Sequence, residues 1–363
     1  MNKRKILTGS LLSILLFTGS SCAEKKSSCE GEEMSRPQRT AETEKLLYNV
    51  KAIAVDGFMF GHQDDPLYGV TWEGDSGRSD VRSVTGDYPA VMGFDIGKIE
   101  HGSEKNIDNV SFAIIREEMI RHYERGGMIT VSWHVDNPLT GSNSWDVSHN
   151  DVVQSVLPGE EKHELFIGWL EKAAAFFNSL TTDDGTKIPV LFRPWHEHTG
   201  SWFWWGKDLC SVEEYTALWE MTRSHFDRAG VDNLLYAYSP DLQGPGEGLD
   251  GYHRNNVKGI EAYQSSLDTI LSFLTEEGAK RNKPIALTET GLEAIPIADW
   301  WTGVLLPLLE RYPVSYVLVW RNARERPDHY YAPYPGQLSA DDFVTFYEHP
   351  KTLFSKDIPN LYQ

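Results

Sequence analysis

Ile188-Pro189-Val190-Leu191-Phe192-Arg193-Pro194-Trp195-His196-Glu197 is an apolar run of strand length that ends abruptly in cationic, aromatic and acidic residues. A strand this uniformly apolar suits burial on both faces, as in a parallel sheet covered by helices. Six further runs share the build, at 57–62, 89–96, 127–134, 233–239, 284–289 and 314–320, and most of them also end in a polar or aromatic residue. Between the runs, residues 109–125, 161–179, 211–229, 260–281 and 299–311 space apolar residues three and four apart with charges between. That period predicts helices with one buried face. Strand then helix, repeated along the chain, predicts an α/β fold, and 363 residues suit one (β/α)8 TIM barrel better than two small domains. The eighth strand is the hard one to find. It must fall between Pro240 and Pro284, yet 260–281 is already a helix, and 241–259 is shorter than the roughly 30 residues of a full βα unit. The strand-six region is therefore either abbreviated or missing a stretch.

Composition limits the partners. With 34 Lys and Arg against 53 Asp and Glu the net charge is -19, which repels phosphate backbones and anionic membrane surfaces, so nucleic acid is not expected. The 12 Trp, 16 Tyr and 15 Phe suit stacking on the apolar faces of sugar rings, although a core uses the same residues. Lys3-Arg4-Lys5, an apolar stretch from Ile6 to Phe17 and Gly19-Ser20-Ser21 before Cys22 have the layout of a secretory signal. The small residues before Cys22 resemble a bacterial lipobox, in which Cys22 carries the lipid; a plain signal peptide is the alternative. The expected organisation is a signal at 1–22, a flexible tether at 23–39 rich in Lys, Glu and Ser, and a catalytic domain at 40–363. The chain is then expected as a monomer in the envelope of a Gram-negative cell, touching the membrane only through its anchor. Ala23-Glu24-Lys25-Lys26 is not strongly acidic, which favours the periplasmic side over the cell surface. Cys29 and Cys210 are too few for a disulfide framework or a cysteine metal cage.

An α/β barrel forms its active site at the C-terminal ends of its strands. The polar and aromatic residues there are His62, Asp95, Trp133-His134, Arg193 with His196-Glu197, Glu289 and Trp320. Glu197 ends the fourth run, and Glu289 ends the seventh if the short region counts as one unit. Two carboxylates facing across a sugar ring about 5–5.5 Å apart give hydrolysis with retention, while a structural salt bridge is the plainer use of such residues. His196 and His198 lack the i, i+4 spacing of a zinc helix and have no cysteine beside them, so no metal is expected. No phosphate loop follows a strand, and neither Gly9-Ser10 nor Gly141-Ser142 has the flanks of a nucleophile elbow. No cofactor is expected.

Arg193-Pro194-Trp195-His196-Glu197-His198-Thr199-Gly200 followed by Trp202-Phe203-Trp204-Trp205-Gly206 resembles the acid/base strand of glycoside hydrolase family 26, mostly β-mannanases. Gly61-His62-Gln63-Asp64, Trp133-His134-Val135-Asp136-Asn137-Pro138, Thr288-Glu289-Thr290-Gly291 and Val319-Trp320 are similar to the family's other motifs, in the family's order. The resemblance covers about residue 45 to the C-terminus. It implies a clan A barrel that cuts β-1,4-mannosidic links of mannan or galactomannan by double displacement, internally or by releasing mannobiose. Glu197 would be the acid/base and Glu289 the nucleophile, with His134 and His196 on the sugar and Trp202 and Trp320 as stacking platforms. His62 and Arg193 would bind substrate or fix the carboxylates. Asp250-Gly251-Tyr252 is similar to the family's Asp-x-Tyr, whose Tyr touches the nucleophile, but almost no strand precedes it here. Other readings of the same motifs are a β-1,3-xylan or mixed-linkage glucan hydrolase and a glycan-binding lipoprotein without turnover.

Overall fold

The computed structural model describes residues 38–241, 252–253 and 259–363. Eight strands form one parallel sheet: β1 (Phe58–Gln63), β2 (Val91–Asp95), β3 (Met128–Ser132), β4 (Val190–Arg193), β5 (Leu234–Tyr236), β6 (Tyr252–His253), β7 (Ile285–Leu292) and β8 (Val314–Val319). Their hydrogen-bonded order is β5-β4-β3-β2-β1-β8-β7-β6, the cyclic order of a (β/α)8 barrel. Thr352–Leu353 adds a short parallel pairing beside β1. All seven apolar runs are strands. The eighth is the two-residue β6, which pairs with β7 through Tyr252 and Gly291. Among the described residues no ladder joins β5 to β6. Residues 242–251 and 254–258, on either side of β6, lie outside the described residues.

Four of the five predicted helices appear within three residues of their expected ends, at Phe112–Glu124, His163–Ser179, Val212–Arg228 and Ile260–Arg281. The fifth starts as a π-helical turn, Trp301–Leu305, and runs into Leu306–Leu309. The helix Val212–Arg228 begins with a capping box, in which Ser211 and Glu214 each bond the other's backbone N–H.

Alternation along the strands splits the core in two. Met59, Val91, Met128, Leu191, Leu235, Tyr316 and Leu318 pack together with Leu46, Val50 and Ile53 of the helix Ala41–Asp56 and with Leu361 and Tyr362. Leu361 accepts a bond from Asn49, and Tyr362 donates to Gly127 O at 2.6 Å. This plug seals the N-terminal end of the barrel with apolar side chains. The opposite residues of each strand, such as Phe58, Phe60, Met92, Phe94, Ile129, Val131 and Phe192, face the helices in two further clusters. Polar strand ends are therefore confined to the other mouth.

Among the buried polar groups away from that mouth, His122 is titratable. It is fully buried, donates from Nε2 to Ala90 O at 3.2 Å and packs against Gly127, where a Cβ would meet the ring at 2.2 Å. Burial and then the Arg125 charge push its pKa down to about 3, against about 6.5 in the unfolded chain. The unfolded state thus takes up the proton first. Stability is expected to fall as pH drops from about 6.5 toward 3, by up to ~1.4 kcal/mol per pH unit from this group. Urea unfolding at pH 7 and pH 4.5 checks this: the difference between the two should shrink in His122→Gln, and an unchanged difference would refute it.

Candidate active site

Strand β4 runs from Val190 to Arg193, and the chain then turns through Trp195 and Glu197, both with positive φ, at 54° and 55°. Non-glycine residues rarely adopt this region, and it marks a backbone held by its surroundings. The restraints are visible. Glu197 N donates to Ser239 O at 2.7 Å, Gly200 N donates back to Glu197 O at 2.9 Å, and Trp205 Nε1 donates to His196 O at 2.8 Å. Trp202 lies so close over Gly200 that a Cβ there would meet its ring at 2.2 Å, so only glycine fits. From that position the indole N–H of Trp202 donates to Glu197 Oε2 at 2.8 Å.

Glu289 is aimed by a bulge in β7. Val317 pairs with Leu287 but Val319 pairs with Thr290, so β7 carries one extra residue between them. Leu287 packs in the helix-side core and Thr290 bonds Tyr263 of the helix Ile260–Arg281. The bulge turns Glu289 to the inside, where Arg193 Nη2 donates to its Oε2 at 3.0 Å. Arg193 is 1% exposed and Glu289 11%. The other guanidinium nitrogen, Nη1, donates to Ser239 Oγ at 3.0 Å, and Ser239 shares a 2.6 Å hydrogen bond with Thr288. One arginine thus ties the ends of β4, β5 and β7.

Electrostatics divide the titratable groups. Burial, then the negative charge of Glu289, raise the Glu197 carboxyl to about 8, with Asp241 adding and Trp202 and Arg193 opposing. His196 is buried, and burial with the charges of His134 and Arg193 holds it well below the usual histidine range. His134 moves the other way. Burial disfavours its cation, but the charge and hydrogen bond of Asp95, with Glu289 and Asp108, outweigh burial and raise it. The two imidazoles meet edge to face at 4.7 Å.

The expected site residues therefore fall into groups. Glu197, Glu289, His134, His196, Arg193, Trp202 and Trp320 converge on the mouth, with the Trp320 ring 6.2 Å from that of His134. His62 is 1% exposed, with Nδ1 bonded to Asp65 at 2.9 Å, so its contacts are those of a residue that fixes its loop. Tyr252 lies in β6, paired to Gly291 two residues beyond Glu289, and its side chain is outside the described residues. Cys22 is outside them as well. Trp204, Trp205, Trp133 and Trp195 are fully buried and wall the mouth rather than face it, while Trp145 is half exposed and stacks on His134 at 5.1 Å. Ser239 and Thr288 also belong to the site: Thr288 opens the quoted motif around Glu289 without being singled out there, and nothing in the sequence around Ser239 marks a small hydroxyl for it. Among the described residues Glu100, His101 and Asp136 bring ligand atoms together with a cation's spacing, but the Lys98 ammonium holds both Asp136 oxygens at 2.7 Å.

A barrel with one carboxyl held neutral just beyond β4 and a second, arginine-bound carboxylate on β7, ringed by aromatic and histidine side chains, is built as a glycoside hydrolase. The model of glycosyl hydrolase family 26 matches residues 35–291, and the chain belongs to that family. A GH26 β-mannanase from Bacteroides ovatus superposes with a TM-score of 0.85 at 54% identity, covering 90% of this chain and 98% of that one. A mannan endo-1,4-beta-mannosidase of Bifidobacterium adolescentis is 30% identical over 92% of this chain, which spans only 37% of that protein's length. One from Bacillus subtilis is 27% identical, over 72% of this chain and 73% of its own length.

The Glu197 titration tests the site directly. By carbon-13 NMR of labelled glutamates its midpoint is expected near pH 8, higher in Trp202→Phe, which removes a donor to the ionised form, and lower in Glu289→Gln, which removes the like charge. A midpoint in the ordinary carboxylate range would refute the arrangement.

Proposed function

We propose that the chain hydrolyses β-1,4-mannosidic links of mannan or galactomannan with retention, through a glycosyl-enzyme. The observation that carries this is the unequal carboxyl pair: Glu197 keeps its proton up to about pH 8 because burial, and then the charge of Glu289, disfavour its ionised form, and Glu289 has a fixed counter-charge in Arg193. A Glu289 oxygen attacks the anomeric carbon from the face opposite the leaving group while the C1–O bond breaks and Glu197 gives its proton to the departing oxygen. Water then enters on the vacated face. Glu197, now ionised, takes its proton, the oxygen attacks C1, and the bond to Glu289 breaks, so two inversions restore the β configuration. Trp202, bonded to Glu197, and Trp320 offer aromatic faces for sugar rings, and His134 and His196 offer polar contacts near the bond that is cut. The names of the relatives, mannan endo-1,4-beta-mannosidases among them, support mannan as the polymer.

We place the enzyme in the cell envelope, anchored by lipid on Cys22 through the tether 23–39, on the periplasmic side and as a monomer. The sequence of those residues supports the anchor.

With protein lacking residues 1–22, Glu197→Ala and Glu289→Ala are each expected to lower mannan hydrolysis about a thousandfold or more. On an activated aryl β-mannobioside, azide should rescue Glu289→Ala with an α-glycosyl azide and Glu197→Ala with a β-glycosyl azide. Swapped products would reverse the roles. Products from β-1,3-xylan or mixed-linkage glucan but not from mannan would replace the substrate, and tight mannan binding by a folded parent that releases no sugar would leave a binding protein.

A further inference from the structure

Asp95 has no part in the chemistry above, yet it is buried at the end of β2 with its whole carboxylate engaged. Oδ2 lies 2.7 Å from His134 Nδ1 and accepts the Ser132 hydroxyl at 2.7 Å, while Oδ1 accepts Gly97 N at 2.7 Å. Each of these donors favours the ionised acid. An ionised carboxylate can only accept, so Nδ1 must carry hydrogen, and the Asp95 bond therefore decides both the ring's orientation and its tautomer. A second carboxylate holds the loop on either side of the ring: Glu100, fully buried, accepts Trp133 Nε1 at 3.1 Å on one oxygen and Asp136 N at 3.0 Å on the other. His134 is thus pinned through its ring and through both flanks from the segment that follows β2.

We propose that Asp95 is a positioning residue for hydrolysis, acting through His134: it fixes Nδ1 as a donor and leaves Nε2 for a sugar hydroxyl beside Glu289. The proposal rests on the glycosidase reading for its kinetic consequence but not for the coupling itself. Charged and titratable groups around the ring are Asp95 and Asp108 from β2 and the loop after it, His196 from the extension of β4, and Glu289 from β7. Trp145, Phe203 and Trp320 supply uncharged faces. Among the described residues Asp95 is the charged group hydrogen-bonded to the ring, so removing its charge reaches His134 first.

The test is a double-mutant cycle on the purified enzyme, read by kcat/KM on reduced mannopentaose and by the nitrogen-15 histidine titration of His134. Asp95→Asn is expected to lower kcat/KM about tenfold and to move the His134 midpoint down, as loss of a charge-assisted bond requires. In a His134→Gln background the same change should cost almost nothing more, because the two residues act as one unit. An equal loss in both backgrounds, or an unmoved His134 midpoint, would overturn the proposal in favour of a purely structural carboxylate. If Asp95→Asn does not fold, Ser132→Ala, which removes one donor from Asp95 and leaves the carboxylate in place, decides. It should shift the His134 titration, and no shift would overturn the proposal. A folded parent that cuts no mannan would end the mannanase reading, and the His134 titration would still decide the role of Asp95.

Discussion

The site depends on a buried cation. Arg193 lies at 1% exposure inside the mouth of an acidic protein, and a charge there is tolerable only if every neighbour is arranged around it. Glu289 and Ser239 are those neighbours, and both had to be brought from other strands. Breaking such a pair from one side typically costs about 3–5 kcal/mol, because the remaining charge stays buried. The same guanidinium stands between the two glutamates electrostatically, bonded to one and opposing the raised pKa of the other. Stability of the barrel mouth and readiness of the carboxyl pair are thus coupled through one side chain.

Around that cation the backbone departs from regular structure in the places where chemistry is proposed. Trp195 and Glu197 occupy left-handed backbone, and β7 carries an extra residue that turns Glu289 inward. Such departures cost of order 1–3 kcal/mol each and persist only where packing overdetermines them. The wall of Trp133, Trp195, Trp204 and Trp205 supplies that packing, closed by indole bonds to Val135 O and His196 O. Aromatic residues that composition alone would assign to sugar binding are mostly this wall. Trp202, Trp320 and Trp145 are the ones left partly open to the cleft.

The fold was largely legible because a buried parallel strand and a helix with one apolar face leave different periods in the sequence. Seven of eight strands and the main helices follow from those periods. The helix Ala41–Asp56 was not among the predicted ones, although it buries Leu46, Val50 and Ile53 at the expected spacing and plugs the barrel. The described pair of β6, Tyr252–His253, is too short to carry a period, and its pairing to β7 is visible only once β7 is in place. In the site, residues that end the apolar runs were named from position alone, whereas Ser239 matters only because the fold brings it to Arg193, and Thr288 because β7 brings it to Ser239.

The sequence by itself determined the (β/α)8 architecture, the two glutamates and the aromatic and histidine residues that surround them, because strand ends and motif spacing are local properties. It also confined the polar strand ends to one mouth, since alternation sends apolar residues to the other. Tertiary structure alone decided which carboxyl holds a proton, which histidine is raised and which is lowered, and that His62 and Arg193 are buried. Those outcomes are set by desolvation and by charges from other strands, and neither is written in the neighbours along the chain.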